Sequence, residues 1–296
     1  MASNTNKQIV KIGLVQMACG EDAEANMKTA EQGIRQATVQ GAQIICLPEL
    51  FRTLYFCQTE DPEHFKRAEE IPGPSIQAMS KLAAELEVVL ILPLFEKRST
   101  GIYHNTAVVI DADGSMAGRY RKMHIPDDPG FHEKFYFTPG DMGFQTIATR
   151  FGKIGVLICW DQWFPEAARL TALSGAQILF YPTAIGYQAF DESIADKQAQ
   201  AWQTIQKAHS IANGVFTVVV NRVGQENKVN FWGKSFVSDP FGEVLVEASA
   251  KEPEVLIVDC DLGLIEETRQ GWPFLRDRRV DAYQNLTRLY IDQNDN

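Results

Sequence analysis

Residues 154–166 read Ile154-Gly155-Val156-Leu157-Ile158-Cys159-Trp160-Asp161-Gln162-Trp163-Phe164-Pro165-Glu166. The apolar run predicts a buried strand, and Pro165 sits where the first turn of a helix accepts proline. The stretch is therefore a strand that stops, turns and enters a helix, with Cys159 at the corner. A thiol there meets substrate and lies close to helix N–H groups that favour the thiolate. Free cysteine is also among the most buried residue types, so the same position suits a small core residue. This segment alone leaves both readings open.

Two further segments end strands in the same abrupt way. In Ile44-Ile45-Cys46-Leu47-Pro48-Glu49-Leu50 a short apolar strand stops at Pro48 and delivers a carboxylate at its tip. A glutamate is most often a solvated surface charge, yet Glu49 is flanked by Leu47 and by Leu50-Phe51, a setting that suits a general base. In Gly118-Arg119-Tyr120-Arg121-Lys122-Met123-His124-Ile125-Pro126 a basic run leaves a strand and enters a proline-rich loop. Taken alone, Lys122 reads as one more surface cation.

Together the three segments resemble the nitrilase superfamily of carbon–nitrogen hydrolases. That family carries a Glu after a Pro, a Lys in an R-K-x-H-like run and a Cys in a C-W/Y-D-x-x-F-P-E block; Glu49, Lys122 and Cys159 match in order and spacing. The likeness runs from the first strand to about residue 260. Longer strings are similar to its N-carbamoylputrescine amidohydrolase branch: Tyr55-Phe56-Cys57-Gln58, Lys122-Met123-His124-Ile125-Pro126-Asp127-Asp128-Pro129-Gly130, Glu133-Lys134-Phe135-Tyr136-Phe137-Thr138-Pro139-Gly140-Asp141, and Ile158 through Glu166. The resemblance implies a four-layer αββα sandwich of two mixed sheets flanked by helices. It also implies a second glutamate after the lysine, and Glu133 stands at that position.

Composition narrows the function classes. A net charge of −10 argues against a nucleic-acid surface, which needs a basic excess. An apolar stretch long enough to span a membrane is missing from the sequence, and the first residues lack a signal-peptide core. The cysteines at 19, 46, 57, 159 and 260 are odd in number, scattered and without a C-x-x-C, so neither a disulfide framework nor a zinc ribbon is indicated. His132-Glu133 is not a zinc-protease motif, because the second His would fall at Tyr136. The reading is a cytoplasmic enzyme with no metal and no cofactor.

Strands are expected at residues 9–17, 44–47, 88–94, 106–110, 154–158, 178–181, 216–221, 231–238, 243–247 and 254–259, and helices at 24–39, 75–86, from the Cys159 corner to about 174, and 195–212. Ser75 is a possible cap of the second helix. Residues 123–141 are a long Pro/Gly-rich loop, the kind that is usually functional. Gly41-Ala42-Gln43-Ile44-Ile45-Cys46-Leu47-Pro48 echoes Gly175-Ala176-Gln177-Ile178-Leu179-Phe180-Tyr181-Pro182, which suggests two similar units in one core. The alternation of elements predicts a single domain over residues 1–296. From about 269 the chain reads either as an arm packing on another subunit, hence a homo-oligomer, or as a tail packed on its own domain.

Amide and ureido carbonyls are poor electrophiles, so attack needs a nucleophile, a base and donors for the developing oxyanion. Cys159, Glu49 and Lys122 supply these in turn, the backbone N–H of Trp160 adds a donor, and the resemblance implies that Glu133 orients the lysine or the substrate. Substrate contacts are expected from Tyr55, Trp160, Asp161, Trp163, Tyr187, Asp191 and Glu192, because aromatic faces and carboxylates suit an amine tail. The loop at 183–192 has no Arg for a substrate carboxylate, although Arg52 lies close to Glu49 in sequence. The expected partner is a small, amine-tailed ureido compound. Other readings are an N-carbamoyl amino acid amidohydrolase, an ω-amidase, a nitrilase, a non-catalytic binding module, or a thiol redox sensor.

Overall fold

The computed structural model describes residues 8–190 and 192–292. The strands are β1 (Ile9–Gln16), β2 (Ile44–Cys46), β3 (Val89–Ser99), β4 (Ile102–Ile110), β5 (Met116–Arg121), β6 (Thr146–Thr149), β7 (Gly152–Val156), β8 (Ile178–Pro182), β9 (Gly186–Gln188), β10 (Phe216–Val220), β11 (Val223–Glu226), β12 (Val229–Trp232), β13 (Phe236–Ser238), β14 (Val244–Glu247) and β15 (Glu254–Asp261). The helices are α1 (Ala23–Val39), α2 (Pro74–Leu86), α3 (Pro165–Leu173), α4 (Ala195–Asn213) and α5 (Gly263–Gly271).

Two six-stranded sheets form, in the orders β15-β1-β2-β3-β4-β5 and β6-β7-β8-β10-β13-β14. Read in those orders, both show the same pairings: antiparallel, parallel, parallel, antiparallel, antiparallel. Parallel neighbours need long crossovers, and α1, α2, α3 and α4 supply them at matching places. The echoed octapeptides end in the matching strands β2 and β8.

Side-chain alternation sets the layers. Ile12, Leu14, Ile44, Cys46, Val89 and Ile91 point to one face of the first sheet and join a cluster with Val156, Ile178, Phe180 and Val218 of the second. The intervening Val15, Ile45, Leu90, Leu92 and Val108 pack with Ala30 and Ile34 of α1 and with Met79 and Leu82 of α2. On the second sheet, Gly155 and Leu179 face Thr171 of α3. The order is helices, sheet, sheet, helices, as the resemblance implies. A smaller sheet, β11-β12-β9, lies beside Tyr55, Phe56, Ile125, Tyr136 and Phe137, which form a third cluster.

Several local expectations are corrected. Ser75 does not cap α2: Gly73 is the cap, Pro74 opens the helix, and Ser75 instead donates its N–H and hydroxyl to Glu69. The strand expected at 231–238 is two strands, broken where Gly233 and Lys234 take φ of 57° and 55°. After Cys159 a single 3-10 turn, Cys159–Trp163, precedes α3. Strands β6, β9 and β11 were not expected; each is four residues or fewer, too short to show a period.

Candidate active site

The three chemical residues all leave strands at one end of the sandwich. Glu49 follows β2 by three residues, Lys122 follows β5 directly, and Cys159 follows β7 by three. Carboxyl ends of strands in α/β sheets are where ligands bind, because chain reversals there leave a crevice.

Cys159 sits on a sharp backbone corner with φ of 45°, a left-handed conformation that L residues seldom hold without support. Asp161 supplies the support. Its Oδ2 accepts the Ile158 N–H at 2.8 Å and the Tyr120 hydroxyl at 2.8 Å, and its Oδ1 accepts the His124 N–H at 3.0 Å. One buried carboxylate thus ties the Cys159 turn to the segment that carries Lys122. Gln162 fixes the other side, accepting the Trp202 indole N–H at 2.8 Å.

Lys122 is fully buried, and its ammonium donates to Glu49 Oε1 at 2.8 Å and to Glu133 Oε2 at 2.6 Å. Its backbone is clamped by Asn105 and Gly140. A Cβ at Gly140 would stand 2.1 Å from the Arg121 carbonyl oxygen, so only glycine permits that approach. Glu49 Oε1 also accepts from Asn105 Nδ2 at 2.7 Å, while Oε2 is buried with no hydrogen-bond partner among the described residues. Glu133, on a short 3-10 turn, accepts the Tyr55 hydroxyl at 2.8 Å.

The electrostatics follow from burial. Burial pushes the Cys159 thiol well above its ordinary pKa; Glu49 and Glu133 add to this, and Lys122 opposes it. Burial works against the charge on Lys122, yet Glu133 and Glu49 hold its pKa well above the usual lysine value. Burial and the nearby Glu49 push the Glu133 carboxyl up to about 7 against the pull of Lys122. The resting centre is therefore a protonated thiol beside a buried cation, with Glu49 Oε2 left without a hydrogen-bond partner among the described residues. Such a set can open an acyl or ureido carbon–nitrogen bond through sulfur.

A cavity of about 410 Å³ opens onto Cys159 and Glu133, within the usual range for small-molecule sites. Trp160 and Trp163, two of the expected contact residues, line it. Four other expected contacts lie elsewhere. Tyr55 is fully buried behind Glu133, and Asp161 is consumed in holding the Cys159 turn. Tyr187 lines a neighbouring cavity, where its hydroxyl accepts from Asn230. Glu192 is exposed at the start of a short turn, and Asp191 lies outside the described residues. Sequence reasoning passed over Asp128, Phe131, Phe190 and Trp232, all of which line the cavity, and Asn105 on Glu49. For Asp128 a signal existed: Asp128-Pro129-Gly130-Phe131 has the residue order of a type II turn.

Comparison with known proteins agrees with this geometry. A model of the carbon–nitrogen hydrolase family matches residues 11–270. An N-carbamoylputrescine amidase of Arabidopsis thaliana is 45% identical, over 99% of this chain and 100% of that one. A citrullinase of Francisella tularensis is 38% identical over 95% of this chain and 99% of its own. The crystal structure of a carbon–nitrogen hydrolase from Helicobacter pylori superposes with a TM-score of 0.93 at 47% identity, covering 96% of this chain and 100% of that one. With its sheets, its buried Glu-Lys-Cys centre and these relatives, the chain belongs to the carbon–nitrogen hydrolase family.

Proposed function

We propose that the protein hydrolyses N-carbamoylputrescine to putrescine, carbon dioxide and ammonia. The observation that carries the choice of substrate is the lining of the Cys159 cavity. Among the described residues it contains the carboxylates of Asp128 and Glu133 and no Lys, Arg or His. Glu133 is engaged by Lys122 and Tyr55, whereas the side chain of Asp128 is exposed in the mouth. A ligand tail bearing a carboxylate, as in N-carbamoyl amino acids or citrulline, would meet no cation on this wall. An ammonium tail would meet Asp128, with the methylene chain against Phe131, Trp160 and Trp163. The several N-carbamoylputrescine amidases at 45% identity support the same reading.

The steps then follow. Cys159 Sγ attacks the ureido carbon as Glu49 Oε2 takes the thiol proton. Lys122 and the Trp160 N–H stabilise the oxyanion; one such donor contributes on the order of 3 kcal/mol. Glu49 returns the proton to the departing nitrogen, leaving an S-carbamoyl enzyme. It next takes a proton from water, whose oxygen attacks the same carbon, and passes that proton to the Cys159 sulfur as the carbon–sulfur bond breaks. The carbamic acid formed breaks down to carbon dioxide and an amine or ammonia. Glu133 holds Lys122 between the two carboxylates throughout. The five cysteines are buried and unpaired, which suits a reducing, cytoplasmic setting. Exposed Trp272, Leu286, Leu289 and Tyr290 beyond α5 favour assembly into a homo-oligomer through this arm.

Purified protein given N-carbamoylputrescine tests the proposal by product counting. Equal amounts of ammonia and putrescine are expected, unchanged by a chelator. Ammonia from citrulline, with none from N-carbamoylputrescine, would overturn it.

A further inference from the structure

Arg222 and Glu226, far from the motif segments in sequence, are fully buried and joined to the active-site backbone. Arg222 follows β10 by two residues, and all five of its guanidinium N–H directions are used. Nε donates to the Glu49 carbonyl at 3.0 Å, and Nη2 donates to the Glu49 and Leu50 carbonyls at 2.9 and 2.6 Å. Nη1 donates to both oxygens of Glu226, at 2.8 and 2.9 Å. Glu226 Oε2 in turn accepts the backbone N–H of Tyr55 at 2.6 Å. The Tyr55 hydroxyl reaches Glu133, Glu133 reaches Lys122, and Lys122 reaches Glu49. These contacts close a ring from Glu49 through Arg222, Glu226, Tyr55, Glu133 and Lys122 back to Glu49.

We propose that Arg222 and Glu226 are positioning residues that set the placement of both carboxylates against Lys122. The backbone shows why a brace is needed. Leu50, directly after Glu49, has φ of 50°, a left-handed conformation that a γ-branched residue does not keep unaided. The carbonyls on both sides of that strained unit point at one planar guanidinium. Lysine could not replace it, because a point ammonium cannot present a flat fork to two carbonyls and a carboxylate together. On the far side Glu226 fixes the main chain of Tyr55, whose hydroxyl sets the rotamer of Glu133. Neither Arg222 nor Glu226 lines the Cys159 cavity, so they act on chemistry through the placement of others.

The inference rests on Glu49 serving as the base and not on the identity of the substrate. Its test therefore includes a reading that needs no substrate: the pH dependence of Cys159 alkylation by iodoacetamide. Glu226→Gln and Arg222→Lys are compared with Ile34→Ala, a variant in the distant core between α1 and the first sheet. All are measured well below their Tm. The brace variants are expected to lose kcat by on the order of 10²-fold, the effect of about 1 Å of misplacement, and to keep KM within about threefold. Their alkylation profile should move along the pH axis, and Ile34→Ala should keep both kcat and profile at an equal or larger drop in Tm. Should neither single variant fold, the pair Arg222→Met with Glu226→Leu replaces the buried charges by apolar groups, a change often tolerated, and is read in the same way. Unchanged kcat and profile in the folded brace variants, or an equal kcat loss in Ile34→Ala, would overturn the proposal.

Discussion

Cys159 rests as a thiol, and the reason is visible around it: it is buried, and Glu49 and Glu133 hold the proton on while Lys122 opposes them. The proton must leave as the sulfur attacks, and the proposed acceptor is Glu49, whose Oε2 has no hydrogen-bond partner among the described residues. Iodoacetamide should therefore label Cys159 slowly at neutral pH, with a rate still climbing above the ordinary thiol range, since a raised pKa moves the thiolate to higher pH. Peptide mapping across a pH series checks this, and full labelling speed by pH 7 would contradict it. Cys159→Ser should stay folded and lose turnover; more than a trace of the parent rate would remove it as nucleophile. Asp128→Asn should raise KM for N-carbamoylputrescine at least about tenfold, because a hydrogen bond to a charged group contributes roughly 1.5 to 3 kcal/mol. N-butylurea, of similar shape and without the ammonium, should be turned over as before. Glu49, Lys122 and Cys159 were legible because each stops a strand inside a long matching string. The cavity carboxylate was harder to read: Glu192 follows a strand end and looked suitable but is exposed, Asp191 lies outside the described residues, and a tight turn brings Asp128 to the cavity lining.

That turn is an element in its own right. The Phe131 N–H closes onto the Asp128 carbonyl at 2.8 Å, Gly130 has φ of 80°, and Gln188 of β9 donates to the Pro129 carbonyl at 2.6 Å. Pro fits the second position of such a turn and Gly the third. A Cβ at Gly130 would come within 2.3 Å of the Gln188 amide nitrogen and would have to hold a left-handed φ. Gly130→Ala should therefore cost about 1 kcal/mol or more of stability and lower kcat/KM for the amine-tailed substrate more than for N-butylurea. Thermal unfolding and paired kinetics check both; an effect on Tm alone would show that the turn does not present Asp128. At this scale the long strands and helices were readable from their periods. The short β6, β9 and β11 were not, since four residues or fewer are too few to show a period; of these, β9 reaches the cavity through Gly186. The echoed octapeptides hinted at the repeated pairing pattern, but only the strand orders show that it extends across both sheets.

For the molecule as a whole, burying two carboxylates around one lysine links stability to pH. Glu133 is raised to about 7 in the folded protein, above the 4.5 of a free glutamate. Between those values the folded state holds a proton that the unfolded chain has released. The contribution of this group is thus fully present below about pH 4.5 and is lost as pH rises toward 7. Glu133→Gln has no proton to lose, so urea unfolding at pH 5 and pH 7 should show the parent falling relative to this variant; no relative change would mean that Glu133 is charged throughout. The fold class was legible from the order of elements and the family strings, whereas the ring through Arg222 and Glu226 was not, because it joins residues more than 170 positions apart. On the proposed reading, one cavity couples this sulfur centre to an amine-tailed ureido substrate. This is tested most directly by kcat/KM for N-carbamoylputrescine against N-carbamoyl-β-alanine on the same preparation. A ratio of at least about tenfold is expected, the factor that ~1.4 kcal/mol represents; an equal or better rate with the carboxylate-tailed compound would contradict the amine-tailed reading.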